Sequence, residues 1–259
     1  MIYARSPRAL DEIRLAGVDA ELTQNPSEAV READVVILCV PIEAMAALVH
    51  ECRDALKPDA LVTDVGSVKG SVDRDLAPLL EDRALWIGSH PMAGSEQAGF
   101  AAARGDLFVG AAVIITPTEQ TQREAERRAE EFWSALGARL FFLAPEFHDI
   151  AIAEISHMPH LVAAILAGKV SHESLAMAGG GFRDTTRVAS GSPELWTEIL
   201  WANRKAMQTH CSAWWTIMSN LRGLFESDDP IRKSELFKIL KDAQSVRSQF
   251  LEKYSNRPT

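Results

Sequence analysis

The chain is 259 residues long, with a formal net charge of −9 and an isoelectric point near 5.3. At 47% hydrophobic and 24% charged residues, it has the composition of a globular protein with core enough for one large domain or two ordinary ones. The acidic balance argues against a nucleic-acid partner, which needs a concentrated basic patch. It leaves room for an anionic small molecule held by a few arginines in a cleft. Three scattered cysteines, Cys39, Cys52 and Cys211, lack the spacing of a zinc site or a disulfide framework and fit a reducing, cytoplasmic setting. No signal peptide or lipidation motif is recognisable, no apolar run reads as a membrane span, and no membrane partner is expected.

Strands and helices alternate through the first half. Ile2-Tyr3-Ala4 reads as a short strand, and Ser6-Pro7 supplies an N-cap and first-turn proline for a helix over 7–16. Asn25-Pro26-Ser27 opens a second helix that runs to Ala33. The unbroken apolar run Asp34 to Val40 predicts a strand buried on both faces, ended by Pro41, with a helix over 42–55. Further strands are expected at 60–64, 85–88, 111–116 and 139–142, with helices after Lys69 and over 119–136. Strands separated by helices indicate a mostly parallel, doubly wound sheet. Beyond Pro145 only helices are expected, over 146–173, 193–222 and 230–254. The expected architecture is an α/β domain over 1–146, followed by an all-α domain over 147–259.

A doubly wound sheet that binds a dinucleotide starts with a central strand and a G-x-G-x-x-G turn, whose helix N-terminus holds the pyrophosphate. Ile2-Tyr3-Ala4 reads instead as the second strand of such a unit, and no glycine triplet of that spacing occurs in the sequence. The expectation is a Rossmann-like domain truncated at its N-terminus.

The chemistry concentrates in two clusters. Gly88-Ser89-His90-Pro91-Met92-Ala93-Gly94-Ser95-Glu96 sets an imidazole after an apolar run and then turns through proline and two glycines. His157-Met158-Pro159-His160 and Gly179-Gly180-Gly181-Phe182-Arg183-Asp184, with Arg187, complete it downstream. Histidine titrates near neutral pH and arginine pairs bidentately with carboxylates, so the combination suits proton removal from an anionic substrate. His157 and His160 lie three residues apart on a predicted helix, but no third metal ligand is recognisable beside them.

With Asp34 to Pro41, Thr63 to Lys69, His148-Asp149 and Glu194-Leu195-Trp196 in the same order, the chain resembles the prephenate dehydrogenases, the cyclohexadienyl dehydrogenases of tyrosine biosynthesis. The resemblance implies NAD(P)-dependent oxidative decarboxylation of prephenate, or of its amino analogue arogenate, by a homodimer joined through the helical domain. It implies that His90 is the base at the ring hydroxyl, with Ser67 orienting it beside the nicotinamide. His160, Arg187, Ser95, Glu96 and Trp196 would line the substrate site, Arg187 pairing with a carboxylate. Arg5, Ser6, Val40, Pro41 and Ser67 would contact the cofactor. An NAD-selective fold carries an acidic residue at the end of the second strand; Ala4-Arg5-Ser6 stands there instead and favours NADP over NAD.

Each residue also has a plainer reading. His90 could be a strand-end histidine bonded to backbone, Ser67 a helix cap, Arg187 a solvated side chain and Trp196 ordinary core. Two rival functions stand beside the first. Hydroxyacid and 6-phosphogluconate-type dehydrogenases use a lysine and an asparagine one helical turn apart, whereas Lys169 is followed by Val170-Ser171-His172-Glu173. A non-catalytic remnant forming a helical dimer is the reading from another class.

Overall fold

The computed structural model describes residues 1–94, 103–226 and 229–254. Among the described residues the first half carries eight strands in three small sheets. In chain order it runs β1 (Ile2–Tyr3), α1 (Pro7–Leu15), β2 (Leu22–Thr23), α2 (Pro26–Val30), β3 (Val35–Leu38), α3 (Ile42–Cys52), β4 (Leu61–Asp64) and α4 (Gly70–Leu80). There follow β5 (Leu85–Trp86), β6 (Gly88–Met92), β7 (Ala112–Thr116), α5 (Arg123–Ala135) and β8 (Arg139–Phe142). The sheets are β1-β2, β3-β4-β5 and β6-β7-β8.

Most of the pairing is parallel, as the alternating pattern predicts, but β6 runs antiparallel to β7, with His90 opposite Ile114. The single strand expected at 85–88 is therefore two. Leu85 and Trp86 pair with β4, and the chain passes Ile87 to enter a different sheet. His90 consequently lies within an antiparallel strand rather than at the carboxyl end of a parallel one. The period-2 pattern of a buried run does not report which neighbour it pairs with, so this switch left no sequence signal. Strand β2 was also not anticipated, being only two residues long.

Alternation across β4 builds two cores. Val62 faces Leu38, Met45, Val49, Leu76 and Leu80 on the α3/α4 side, while Leu61 faces Ile87, Val113, Ile115, Ala129 and Trp133 on the α5 side. Each such side chain contributes roughly 1.5–3 kcal/mol on full burial, which fixes β4 as the centre of its sheet. Strands β1 and β3 do not pair with each other. A cavity of about 360 Å³ lies between them, lined by Ile2, Tyr3 and Val35 to Val40, where the central strand of a doubly wound sheet is expected.

The second half is helical, with α6 (Pro145–Ile152), a π-helical turn at Ala153–His157, α7 (Met158–Lys169), α8 (His172–Leu175) and α9 (Gly180–Thr186). After a 3₁₀ turn at Arg187–Ser190 come α10 (Pro193–Ala202), α11 (Arg204–Leu224) and α12 (Pro230–Tyr254). Two expected helices are thus broken. The 146–173 stretch contains the π turn and stops at Lys169, and the 193–222 stretch is divided at Asn203, whose side chain is occupied elsewhere. The Pro145–Lys169 stretch is long and apolar enough to cross a membrane by length and composition, which corrects the sequence-level statement that no run reaches that length. Its buried face nevertheless carries His148, Asp149 and His157, tied by hydrogen bonds to the rest of the fold, and His160, stacked on Trp196, as a core helix requires.

Candidate active site

The residues around His90 are held by an unusually complete set of hydrogen bonds. Ser89, fully buried beside it, has its N–H accepted by Asp64 Oδ1 at 3.1 Å and its carbonyl bonded by Lys69 Nζ at 2.8 Å. Its hydroxyl pairs with Thr63 Oγ1 at 2.8 Å and accepts from Trp133 Nε1 at 3.0 Å. Lys69 and Asp64 also form an ion pair, both side chains wholly buried. Burial pushes the Lys69 ammonium down from its ordinary pKa while Asp64 pulls it up. Asp64 further accepts from Gly66 N at 2.8 Å, so one carboxylate ties β4, the following turn and β6 together.

From this clamp His90 reaches the helical half. Its Nδ1 lies 2.9 Å from His148 Nε2, and His148 Nδ1 lies 2.8 Å from Asp149 Oδ1. The Asp149 carboxylate accepts from Lys69 N at 2.7 Å and from Gly70 N at 2.9 Å, capping α4 from outside its own sequence. Gly70 is needed there, because a Cβ would lie 2.9 Å from Asp149 Oδ2. Asn203, at the α10/α11 break, donates Nδ2 to the Asp149 carbonyl at 2.8 Å. The same amide lies 3.0 Å from His157 Nδ1. A carbonyl only accepts, so this nitrogen is the donor and His157 Nδ1 accepts from it, which places the His157 proton on Nε2. That Nε2 and His160 Nδ1 are both buried without a partner among the described residues.

All four rings are kept below the ordinary imidazole range, with burial the leading cause in each. For His90 the fall is large, and His148, Lys69 and His157 add to it. For His148 it is opposed by Asp149. His157 is pushed down to about 4, and His160 is lowered by burial alone. Burial thus holds the set neutral at pH 7, each ring keeping one nitrogen lone pair.

His160 stacks on Trp196, ring centroids 3.5 Å apart and planes 12° from parallel, and His157 meets the same indole edge-on at 6.2 Å. Gly191 makes this possible, since a Cβ there would come within 2.5 Å of Trp196 Nε1. The structure thus brings His90, His160 and Trp196 into one neighbourhood through His148 and His157. Ser67 sits half-buried between Asp64 and Lys69 on the β4–α4 connection. Arg187 is exposed and opens the 3₁₀ turn that packs against α7. Arg5 and Ser6 are exposed at the β1–α1 connection, and Val40 and Pro41 follow β3. Ser95 and Glu96 lie outside the described residues.

Sequence reasoning missed the parts played by His148, Asp149, Asn203, Gly191 and the Lys69–Asp64 pair. The runs Thr63 to Lys69 and His148-Asp149 marked these places in the sequence without showing what the side chains do there. Nothing marked Asn203 or Gly191.

Residues at the ends of the parallel strands β1, β3 and β4 stand where doubly wound sheets bind dinucleotides. Arg5 and Ser6 follow β1, Val40 and Pro41 follow β3, and Ser67 follows β4, and no G-x-G-x-x-G run occurs in the sequence. With a buried histidine row between sheet and helices, this layout defines a two-domain dehydrogenase of the dinucleotide-binding class. Family models narrow the class. "Prephenate dehydrogenase, nucleotide-binding domain" matches residues 2–142, and "Prephenate dehydrogenase, dimerization domain" matches 144–242.

The cyclohexadienyl dehydrogenase of Zymomonas mobilis is 33% identical over 99% of this chain and 89% of its own. The prephenate dehydrogenase of Bacillus subtilis is 36% identical over 82% of this chain and 59% of its own length. Among solved structures, Aquifex aeolicus prephenate dehydrogenase with hydroxyphenyl propionate and NAD⁺ superposes with a TM-score of 0.84 at 29% identity, covering 96% of this chain and 87% of that one. Synechocystis arogenate dehydrogenase gives 0.78 at 30% identity, over 95% and 89%. The chain belongs to the prephenate dehydrogenase family.

Proposed function

We propose that the protein oxidatively decarboxylates prephenate or arogenate with an NAD(P) cofactor, giving 4-hydroxyphenylpyruvate or tyrosine. The observation that carries this reading is the row of buried, neutral imidazoles with two unpartnered ring nitrogens, set beside the strand ends that suit a dinucleotide. The cofactor, when bound, supplies the hydride acceptor. Hydride leaves the ring carbon that bears the hydroxyl, the ring carboxylate departs as carbon dioxide, and the ring becomes aromatic. His90 takes the hydroxyl proton, and Ser67 orients the hydroxyl and His90. His160, flattened against Trp196, forms a wall of the substrate site. Arg187 pairs with a substrate carboxylate through its planar fork. Burial excludes water and leaves an uncharged base, so proton transfer rather than ion pairing governs His90.

Arg5 and Ser6 accept a 2′-phosphate, which favours NADP over NAD. The domains divide at 1–146 and 147–259. The protein is a homodimer through the helical half, where Trp201, Trp215, Ile231 and Phe237 are each more than 60% exposed and call for cover. It acts in the cytoplasm. Turnover of both substrates, measured with each nucleotide, tests the reading. His90→Asn lowers kcat by on the order of 10²–10⁴-fold. A folded chain that turns over neither substrate with either nucleotide overturns the activity, and strict NAD use overturns the NADP preference.

A further inference from the structure

We propose that Asp149 and His148 are positioning residues that decide which ring nitrogen of His90 carries a proton. The inference rests on the reading of His90 as the base, but its central evidence is independent of turnover. The logic begins at donors that have no choice. The backbone N–H groups of Lys69 and Gly70 only donate, at 2.7 and 2.9 Å, so both Asp149 oxygens are engaged as acceptors. His148 Nδ1, 2.8 Å from one of them, therefore bears a hydrogen. A neutral imidazole protonated at Nδ1 has its lone pair on Nε2. His90 Nδ1, 2.9 Å away, must then be the donor of that bond, and His90 Nε2 is left with the lone pair. A base needs that lone pair; an Nε2–H tautomer cannot accept the hydroxyl proton.

The alternative is an imidazolium at His148, which would donate from both nitrogens and reverse His90. The groups that face the pair from the packed elements are Lys69, Asp64, Asp149 and His157. Lys69 is already engaged by Asp64 and the Ser89 carbonyl. Burial disfavours a charged His148, and its Asp149 partner does not reverse that. The anchor is fixed from both halves of the molecule. The carboxylate caps α4 in the sheet half, while the Asp149 carbonyl is held by Asn203 from the α10/α11 break. The rings of His90 and His148 stand 65° apart, with centroids separated by 5.1 Å, so the link is a hydrogen bond in line with the ring edges rather than a stack.

The test is long-range ¹H–¹⁵N correlation of the histidine rings in the ¹⁵N-labelled 259-residue chain near pH 7.5, with His90→Asn and His148→Phe used for assignment. The expected result is an Nδ1–H tautomer at both His90 and His148. In Asp149→Ala, His148 loses the acceptor that holds its proton on Nδ1, and both rings move toward Nε2–H. There kcat falls by on the order of 10²-fold or more with KM little changed. Formate, which restores a carboxylate to the vacated space, recovers part of the rate. In His148→Phe, which removes the acceptor but keeps a ring, His90 likewise shifts toward Nε2–H. An Nε2–H tautomer at His90 in the unmodified protein overturns the proposal. So does an Asp149→Ala protein that loses activity while His90 stays protonated on Nδ1, for its role is then structural only. If the unmodified protein shows no turnover, the proposed activity fails, and the tautomers still decide the relay.

Discussion

Acidification should destabilise this protein, and His157 allows the size of its share of the effect to be worked out. The residue is 1% exposed, and burial pushes its imidazole down to about 4, from an ordinary value of 6.5. Between those two values the unfolded chain binds a proton that the folded chain refuses, so stability rises with pH across the window. The contribution is fully present above pH 6.5 and is lost as the pH falls toward 4. At about 1.4 kcal/mol per unit the whole span is about 3.5 kcal/mol, of which about 2 kcal/mol has gone by pH 5. The perturbation that isolates it is His157→Gln, whose amide oxygen still accepts from Asn203 but does not titrate. Urea unfolding at pH 7 and pH 5 supplies the measurement, the shift in midpoint multiplied by the slope giving the free energy. The unmodified protein should lose more stability on acidification than the variant, by about 2 kcal/mol. Equal losses in the two proteins would refute the assignment of acid sensitivity to this ring.

Two further outcomes follow from the packing. Gly191→Ala forces a methyl group to within 2.5 Å of Trp196 Nε1, so the indole leaves His160, the tryptophan emission spectrum shifts, and KM rises more than kcat falls. Lys69→Met leaves Asp64 as an uncompensated buried charge, a loss of roughly 3–5 kcal/mol that appears as a large drop in the thermal midpoint.

The alternating βα pattern, the helical second half and the chemistry-bearing runs were legible because they depend on local periodicity. The run Asp34 to Val40 does give a strand, but not one buried on both faces: Leu38 is buried while Ile37 and Cys39 are exposed along the cavity between β1 and β3, where no strand among the described residues covers them. The switch at Ile87, which carries His90 into an antiparallel pair, was not legible, because Trp86 and Gly88 belong to different sheets through partners more than twenty residues away. The same limit applies at the site. His90 and His160 stood out through their motifs, but Asp149 caps a helix about 80 residues upstream, and Asn203 acts on His157 across 46 residues. Only the fold brings such pairs together, and no spacing along the chain announces them. Gly191 was invisible for another reason: its role is to have no side chain where Trp196 lies.

The cavity between β1 and β3 has a dynamic meaning. No ladder of hydrogen bonds joins the β1-α1-β2 unit to the rest of the domain, and it is held chiefly through contacts made by α2. Cooperativity in a sheet is transmitted strand to strand, so this flap forms its own opening unit, with a free energy below that of global unfolding. Arg5 and Ser6, the proposed adenosine contacts, ride on it. If the proposed adenosine contacts hold, nucleotide affinity is coupled to the ordering of this flap, because part of the binding free energy goes into fastening it.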